Sequence, residues 1–245
     1  MRGMNMAKSL PSPEKPSPKT YRALAAFLCY PTEDVQAAAP AAMAVIADES
    51  GLPRPLIEAL EKLAGELATG DLLTVQERYV RLFDRTRSLS LNLYEHVHGE
   101  SRERGQAMAA LLALYRSRGL ELSSRELPDH LPVFLDFLST RPPAEAASLL
   151  AEAAHVLEAL AERLKKRASP YRAVFGALVQ LAGERADREA LRALLAEPDE
   201  DPDDLDRIDK AWMDEPVNFG PGEAGCPKAD SFIRQMNNGK MNKGV

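Results

Sequence analysis

The chain has 245 residues, and its 31 Lys and Arg against 37 Asp and Glu give a formal net charge of −6 at pH 7. This charge argues against a general nucleic-acid-binding protein, which needs a basic face to neutralise phosphates. Hydrophobic residues make up 45% of the chain, which excludes a wholly disordered protein and is enough for one large core. The two cysteines, Cys29 and Cys226, are too few for a disulfide-built fold, so a reducing, cytoplasmic setting is the simplest interpretation.

The composition also indicates the fold class. The chain has 34 Leu and 37 Ala, but only 15 Val and Ile together. Ala and Leu favour helices, whereas the β-branched residues that favour strands are scarce. We therefore predict an all-α protein with a single compact, bundle-like domain. No segment approaches the roughly 18–20 uninterrupted apolar residues that span a bilayer, so direct membrane insertion is not expected.

Apolar residues recur at helical spacing along most of the chain. Before the first of them lies a proline-rich segment, residues 1–20, which we expect to be an extended, solvated leader. Gly70 and Gly119 stand where helices are expected to end, and Asp71 stands where one is expected to be capped. The helices predicted in the first half begin at Tyr21, cover Val35–Ala47, Leu56–Leu67 and Leu72–Phe83, and run from Ser101 to Arg118.

The second half of the predicted domain continues the same pattern. The helices predicted there cover residues 131–138, 149–164, 171–181 and 187–195. Asp129 is placed to be the N-cap of the first of these helices. Leucines on one face of residues 149–164 indicate a single long helix, and the basic residues at its end suit the helix dipole. The compact domain is therefore predicted to cover residues 21–196.

The composition changes sharply at Glu197. Residues 197–209 hold eight acidic residues, two prolines and one arginine, which indicates a solvated linker or a short acidic helix. A segment around Trp212 follows, and we group residues 197–221 as an acidic linker and C-terminal motif. Residues 222–245 are rich in Gly, Asn and Lys and are predicted to be a disordered tail.

Two of the four histidines form a pair, His96-x-His98, beside acidic residues. On a helix, residues two apart point about 200° apart, so both side chains cannot easily reach one ion. No third or fourth ligand is marked by its spacing, and we favour a packing role over a metal site. The alternative function that stays open is a helical metal-binding protein or metalloenzyme that uses His96, His98 and His130.

The sequence carries no recognised catalytic motif. It has no nucleophile elbow, no phosphate-binding loop and no dinucleotide fingerprint that opens a βαβ unit. Asp129-His130 resembles an acid–base pair, but a helix cap followed by a groove histidine is the favoured interpretation. We therefore predict a protein that is not an enzyme and that holds no cofactor.

A basic cluster is followed by a leucine-rich segment. The cluster consists of Arg78, Arg81, Arg85 and Arg87. Its simplest interpretation is a solvated helix face with weak ion pairs. The segment that follows alternates leucines with polar residues and leads into several carboxylates, and we expect its leucines to be exposed. Apolar residues beside carboxylates can form a groove that holds a peptide with basic and hydrophobic side chains.

Three segments carry a resemblance to a known family. Leu82–Leu91 and Tyr94–Met108 closely resemble the signature of the nitrate reductase molybdenum cofactor assembly chaperones, also called delta subunits. Glu126–Leu135 is similar to the second signature of this family, a pattern shared with the wider family of chaperones for twin-arginine-exported molybdoenzymes. Trp212–Pro221 resembles the C-terminal motif. The resemblance covers about residues 21–221.

This resemblance implies an all-helical chaperone that is not part of the finished enzyme. Its partner would be the immature catalytic (alpha) subunit of nitrate reductase, including its N-terminal peptide, which resembles a twin-arginine signal. The chaperone would hold that subunit in the cytoplasm until the molybdenum cofactor is inserted and the complex is assembled. Cofactor-delivery proteins are further candidate partners.

The predicted site combines this resemblance with the residue chemistry. Apolar side chains of the partner peptide are expected to lie on the leucines and Tyr94, while its basic residues meet carboxylates. Charge-assisted hydrogen bonds of this kind contribute about 1.5–3 kcal/mol each. The predicted partner-binding residues are Arg85, Leu89, Leu91, Tyr94, Glu95, His98, Glu100, Glu126, Asp129 and His130.

Overall fold

The computed structural model describes residues 16–99, 101–123, 126–183 and 186–199, and most of these residues are helical. These residues form eleven α-helices and a 3-10 turn at Arg87–Leu89, with no β-strand among them. The helices are α1 (Pro18–Leu28), α2 (Glu33–Glu49), α3 (Arg54–Thr69), α4 (Leu72–Phe83), α5 (Leu93–His98), α6 (Arg102–Ser117), α7 (Leu131–Leu138), α8 (Pro143–Glu152), α9 (Ala154–Lys166), α10 (Arg172–Ala182) and α11 (Arg188–Ala196). The predicted all-α fold is confirmed for the described part of the chain.

Local capping residues fix several of the helix starts. The Thr32 side chain accepts a hydrogen bond from the Val35 N–H at 3.2 Å, at the start of α2. Asp71 accepts from the Thr74 N–H at 3.0 Å and is the N-cap of α4, as predicted. Such bonds satisfy N–H groups that have no partner inside the helix, which is why these residue types mark the starts.

The first helix begins earlier than expected. The Ser17 side chain accepts a hydrogen bond from the Lys19 N–H, Pro18 occupies the first helical position, and Thr20 is fully buried. Proline is well tolerated at that position because its missing N–H would have no partner there. Residues 18–20 therefore belong to α1, although the predicted leader included them. Residues 1–15 lie outside the described part of the chain.

The core centres on α9 and α10, which pack against each other. Helix α10 also contacts α3 and α8, α11 packs on α9, and α1 packs on both α2 and α7. Fully buried side chains on the two central helices are Leu157, Leu160, Leu164, Val174, Phe175 and Leu178. Full burial of such a side chain contributes about 1.5–3 kcal/mol to folding before entropy is counted. All described residues belong to one compact unit.

The prediction of a single long helix over residues 149–164 is wrong, because the structure has two helices there. Helix α8 ends at Glu152 and α9 begins at Ala154, with Ala153 at φ −93° and ψ 1° between them. The Ala153 N–H bonds to the Leu150 carbonyl, which tightens the last turn of α8. No glycine or proline marks this break, and the leucine pattern continues across it.

Two further predictions fall largely or wholly outside the described residues. Of the acidic linker and C-terminal motif at 197–221, only residues 197–199 are described, and the tail at 222–245 lies outside entirely. Among the residues that the structure does describe, every helix is either too short or too polar to cross a bilayer.

Candidate functional site

The two signature segments, which lie far apart in the sequence, meet through their backbones. Asn92 and His130 form an isolated antiparallel bridge. On either side of it, the Leu93 N–H donates to the Asp129 carbonyl at 3.1 Å and the Leu131 N–H donates to the Leu91 carbonyl at 2.8 Å. The segment before α5 and the segment before α7 are therefore held side by side, and we call this place the signature junction.

Asp129 caps a helix at the junction, but not the one that was predicted. Its Oδ2 accepts a hydrogen bond from the Tyr94 N–H at 3.1 Å, in the first turn of α5. The residue at the start of α5, Asn92, makes no side-chain capping bond, so Asp129 satisfies an N–H that the local sequence does not. The N-cap position of α7 is His130, which makes no capping bond either. The prediction that Asp129 caps its own helix is wrong.

The second oxygen of the same carboxylate is unusual. Asp129 has no solvent exposure, and its Oδ1 has no hydrogen-bond partner among the described residues. A buried carboxylate oxygen without a partner is costly, and such groups are uncommon in folded proteins. Asp129 also lines a cavity at the surface.

The leucines expected to be exposed are buried. Leu89, Leu91 and Leu93 have 0%, 4% and 6% of their surface exposed. The 3-10 turn and the short helix α5 replace the extended alternation, so all three side chains face the core. The predicted exposure of these leucines is therefore wrong, and the predicted peptide-binding role of Leu89 and Leu91 is corrected to a structural role.

A cavity of about 340 Å³ opens beside Asp129, and we call it the apolar groove. Val97 on its wall is 50% exposed, and the rings of Tyr94 and His98 pack edge-on with centroids 5.8 Å apart. Burial raises the pKa of Tyr94, and the carboxylates of Asp129 and Glu152 raise it further. The lining residues are Leu93, Tyr94, Val97, His98, Ala110, Leu111, Leu114, Asp129, Phe134, Leu149, Glu152, Ala153, His155 and Val156.

A second cavity of about 470 Å³ begins at the next residue of the junction, His130, and we call it the acidic groove. Tyr30 on its wall is 46% exposed. The carboxylate of Asp136 is paired with Arg22 at 2.8 Å, and the other two acidic residues of its lining are Glu121 and Glu126. The remaining lining residues are Cys29, Tyr115, Leu120, Leu122, Ser123, Pro132, Val133, Phe137 and Thr140.

Two titratable groups of the acidic groove, Cys29 and His130, have pKa values shifted in the direction of their neutral forms. Burial raises the pKa of the Cys29 thiol, and the charges of Asp136 and Glu126 raise it further. Burial lowers the pKa of His130, although Glu126, Asp129 and Asp84 act in the opposite direction. The Cys29 thiol and the His130 imidazole are therefore neutral at pH 7, and the negative charge of the groove comes from its carboxylates.

The three histidines of the metal-binding alternative lie in different surroundings. His96 is buried, and its Nε2 lies 2.8 Å from the Ser90 carbonyl. His98 lines the apolar groove and His130 lines the acidic groove. In the described ranges, no three His, Cys, Asp or Glu side chains come together in a way that could hold a metal ion. The geometry gives this alternative no support.

Two predicted charged residues that the structure describes, Glu95 and Arg85, line neither groove. Glu95 accepts a hydrogen bond from the Ser90 hydroxyl at 2.6 Å and lies 3.5 Å from Arg87 Nε. The Glu95 carboxylate therefore interacts with other residues of the first signature segment. Arg85 is exposed but belongs to neither lining. Glu100 lies outside the described residues.

A buried arginine that the sequence did not single out fixes the first signature to the core. Arg163 on α9 is 1% exposed. Its Nη1 donates to the Ser88 carbonyl at 2.7 Å, and its Nη2 donates to the Leu194 carbonyl at 2.6 Å. The guanidinium thus connects α9 with the 3-10 turn and with the end of α11.

Sequence reasoning also missed other residues that line the apolar groove, and for one of them, Leu114, the sequence contained an indication. Helix α6 buries only Leu111 and Tyr115, whereas Leu114 is half-buried and lines the apolar groove. When a helix such as α6 has more leucines than its one buried face requires, the additional leucines can indicate a second apolar contact. Glu152 and His155 lie on either side of the break between α8 and α9, which the sequence did not reveal.

The comparisons with known proteins identify the family. A family model described as nitrate reductase delta subunit matches residues 49–177. The nitrate reductase molybdenum cofactor assembly chaperone NarJ of Escherichia coli (strain K12) is 43% identical over 188 residues, which is 77% of this chain and 78% of that protein. The probable chaperone of the same name from Bacillus subtilis (strain 168) is 30% identical over 152 residues, 62% of this chain and 82% of that protein.

A solved structure agrees on the fold. A redox enzyme maturation protein from Archaeoglobus fulgidus matches with a TM-score of 0.51 at 20% identity, over 75% of this chain and all of that chain. The relatives are named as assembly chaperones and as a maturation protein rather than as enzymes, which agrees with the prediction from the sequence. The chain belongs to the nitrate reductase delta subunit family.

Proposed function

We propose that the chain is a cytoplasmic, system-specific chaperone for nitrate reductase. It binds the immature catalytic subunit, including its N-terminal peptide, and keeps it competent for insertion of the molybdenum cofactor and for assembly of the complex. The names of the relatives support this kind of client. The observation that supports the binding site is the buried Asp129 Oδ1, which has no hydrogen-bond partner within the described ranges, on a residue that lines the apolar groove.

The apolar groove is proposed to hold the hydrophobic side chains of the client peptide. Its volume of about 340 Å³ lies at the lower end of the range of about 300–1,000 Å³ that is usual for ligand sites. Val97 is half exposed, and Leu114 and Leu149 are partly buried beside it. An amphipathic segment that covers these side chains removes apolar surface from water, at about 25 cal/mol per Å².

Carboxylates at both grooves are proposed to meet the basic residues of the peptide. A basic side chain beside Val97 can reach Glu152, and a donor that enters more deeply can reach Asp129 Oδ1. A second basic residue can be held in the acidic groove by Glu121 or Glu126. Because Asp129 and His130 are consecutive, one peptide that crosses the signature junction can use both grooves.

This mode of binding accounts for a chaperone that acts only on the unfinished client. A ligand shifts an equilibrium by its differential affinity for two states. A chaperone that binds the exposed peptide of the immature subunit therefore favours the state that can accept the cofactor. Withdrawal of the peptide as the client folds ends the interaction. Cofactor-delivery proteins are proposed as further partners, whereas nucleic acid and the membrane interior are not.

The peptide site is tested by calorimetric titration of the full chain with a synthetic N-terminal peptide of the nitrate reductase catalytic subunit from the same organism. Asp129→Asn keeps an oxygen for the Tyr94 N–H but removes the charge, and Glu152→Lys reverses a charge at the rim. Each is expected to weaken binding by about tenfold or more, because a charge-assisted hydrogen bond is lost.

Glu61→Lys on α3 is the matched control, since Glu61 is exposed and lines neither groove. It makes the same charge change as Glu152→Lys and should leave the affinity within about twofold. Circular dichroism verifies that each variant is folded. Unchanged affinity in folded Asp129→Asn and Glu152→Lys proteins would refute the groove assignment, and equal weakening in all three would indicate non-specific attraction.

The client itself is tested by co-purification from nitrate-respiring cells. The chain is expected to bring with it the catalytic subunit in a form that lacks the molybdenum cofactor. A strain that lacks the chain and any paralogue should accumulate inactive nitrate reductase. Normal maturation of nitrate reductase activity in that strain would exclude the proposed function.

A further inference from the structure

Tyr115 on α6 stands at the boundary between the two grooves. It lines the acidic groove, and the residue before it, Leu114, lines the apolar groove. Leu111, one turn earlier on the same helix, also lines the apolar groove. Helix α6 therefore forms part of the wall of both grooves, and Leu111 and Tyr115 are the two residues that it buries.

The hydroxyl of Tyr115 reaches from α6 to the signature junction. It donates a hydrogen bond to the Pro128 carbonyl at 2.7 Å, and Tyr115 is 4% exposed. Burial raises the pKa of Tyr115, and the phenol of Tyr94 and the carboxylate of Asp129 raise it further. The hydroxyl therefore keeps its proton at neutral pH and remains a donor.

The carbonyl that Tyr115 holds belongs to the peptide unit that joins Pro128 to Asp129. Pro128 is buried, and the ring of a proline fixes its φ, so this hydrogen bond restricts a segment that already has little freedom. On the other side, the Asp129 carbonyl accepts from the Leu93 N–H at 3.1 Å. The backbone of Asp129 is thus held between one hydrogen bond from α6 and one from the start of α5.

The Asp129 carboxylate depends on this backbone position. Its Oδ2 accepts from the Tyr94 N–H at 3.1 Å, and the residue lines the apolar groove. Hydrogen bonds weaken steeply when their distance and angle depart from the favoured geometry. A small shift of the peptide unit before Asp129 is therefore enough to loosen the cap of α5.

We propose that Tyr115 is a positioning residue of the peptide site, whose hydroxyl holds the peptide unit between Pro128 and Asp129 so that the Asp129 carboxylate caps α5 at the wall of the apolar groove. The same residue thus lines one groove and places a charged group of the other. The effect on the client rests on the proposed function, whereas the effect on Asp129 is a property of the chain alone.

Hydrogen exchange of the free, full-length chain tests the position of Asp129 without any client. Tyr115→Phe removes only the hydroxyl and keeps the ring, which packs on Phe137 with centroids 4.5 Å apart. Amide exchange of Tyr94 is expected to become about three- to tenfold faster, because the carboxylate that accepts from it is no longer held in place. Exchange as slow as in the parent chain would overturn the proposal.

Tyr79→Phe is the matched control. The Tyr79 hydroxyl donates to the Leu28 carbonyl at 2.8 Å, and Tyr79 is 5% exposed and lines neither groove. Both substitutions remove one buried hydrogen bond to a backbone carbonyl, so the melting temperatures of the two variants should fall by similar amounts. Only Tyr115→Phe should change the exchange of Tyr94. Equal acceleration in both variants would reflect a general loss of stability and would overturn the proposal.

The effect on the client is measured by calorimetric titration with the synthetic N-terminal peptide of the catalytic subunit. Tyr115→Phe is expected to weaken binding by about three- to tenfold, and Tyr79→Phe by less than about twofold. The loss should act through Asp129. Asp129→Asn should therefore weaken binding by about tenfold in the parent chain but by less than about threefold in a Tyr115→Phe chain, because residues that act together are not additive.

The outcomes separate this proposal from the proposed function. Fully additive effects of Tyr115→Phe and Asp129→Asn on affinity would overturn the positioning role even if the peptide binds. A parent chain that does not bind the peptide would refute the proposed function, and the exchange of Tyr94 would still decide whether Tyr115 positions Asp129.

Discussion

The buried guanidinium of Arg163 donates a 2.7 Å hydrogen bond to the carbonyl of Ser88, at the start of the segment that forms the signature junction. A second bond, to the Leu194 carbonyl, uses the other side of the same group. Burial of this charge is tolerated because two backbone carbonyls accept from it. The position of the first signature on the core therefore depends on a residue more than 70 positions away in sequence.

Replacement of Arg163 should destabilise the whole domain. Arg163→Met leaves the buried Ser88 carbonyl without its donor and removes one of the two donors of the Leu194 carbonyl, and an unsatisfied buried group costs about 1–3 kcal/mol. We expect the free energy of unfolding to fall by about 2–4 kcal/mol in urea. Arg192→Met on α11, where the side chain is exposed, is the control and should change it by less than about 0.5 kcal/mol. Equal stability of the two variants would show that these hydrogen bonds contribute nothing.

Substitutions of Leu91 and Val97 should distinguish a residue that contributes to folding from one that contributes to peptide binding. Leu91 is 4% exposed, so Leu91→Ala should lower the free energy of unfolding by about 2–5 kcal/mol through lost burial and a cavity. Val97 is 50% exposed, so Val97→Ser should leave stability within about 0.5 kcal/mol and weaken binding of the client peptide. Urea unfolding and calorimetry of the same two proteins measure both effects. A stable Leu91→Ala protein with impaired binding would restore the original surface assignment.

The sequence predicted the helices well because their signals are local. Caps such as Asp71, and leucine stripes such as that of α3, depend on residues three or four positions apart. The site was harder to predict because it is built from contacts between distant segments. The bridge between Asn92 and His130 has no local pattern. Alternating leucines are typical of a half-exposed strand, and only tertiary packing turned all of them inward.

Asp129 should stabilise α5 specifically. Asp129→Ala removes the acceptor of the Tyr94 N–H, and loss of a helix cap costs about 0.5–2 kcal/mol. Amide hydrogen exchange of Tyr94 should become faster in this variant, and Asp129→Asn should lie between it and the parent chain. Glu126→Ala, at an exposed position three residues earlier, is the control and should leave the exchange of Tyr94 unchanged. Slow exchange in Asp129→Ala would mean that another group holds α5 in place.

Histidines whose pKa is lowered by burial or partial burial should make the protein less stable in mildly acidic solution. Burial is the main cause that lowers the pKa values of His96, His130 and His155 below 6.5. For His96, the hydrogen bond to Ser90 acts in the opposite direction, while the nearby charge of Arg163 lowers the pKa further. Between the folded and unfolded pKa values the unfolded chain binds more protons, so the free energy of unfolding decreases as the pH falls below about 6.5.

The pH dependence can be assigned to His96 by substitution. Urea unfolding between about pH 7.5 and about pH 5 should show stability that is highest above the unfolded pKa and declines below it. His96→Gln can still donate to the Ser90 carbonyl but cannot be protonated, so its stability should decline less steeply with falling pH. His98→Gln, on the same helix but partly exposed, is the matched control. If His96→Gln retains the full slope of the parent chain, the acid sensitivity arises from other groups, of which His130 and His155 are the next to test, because burial lowers their pKa values in the same direction.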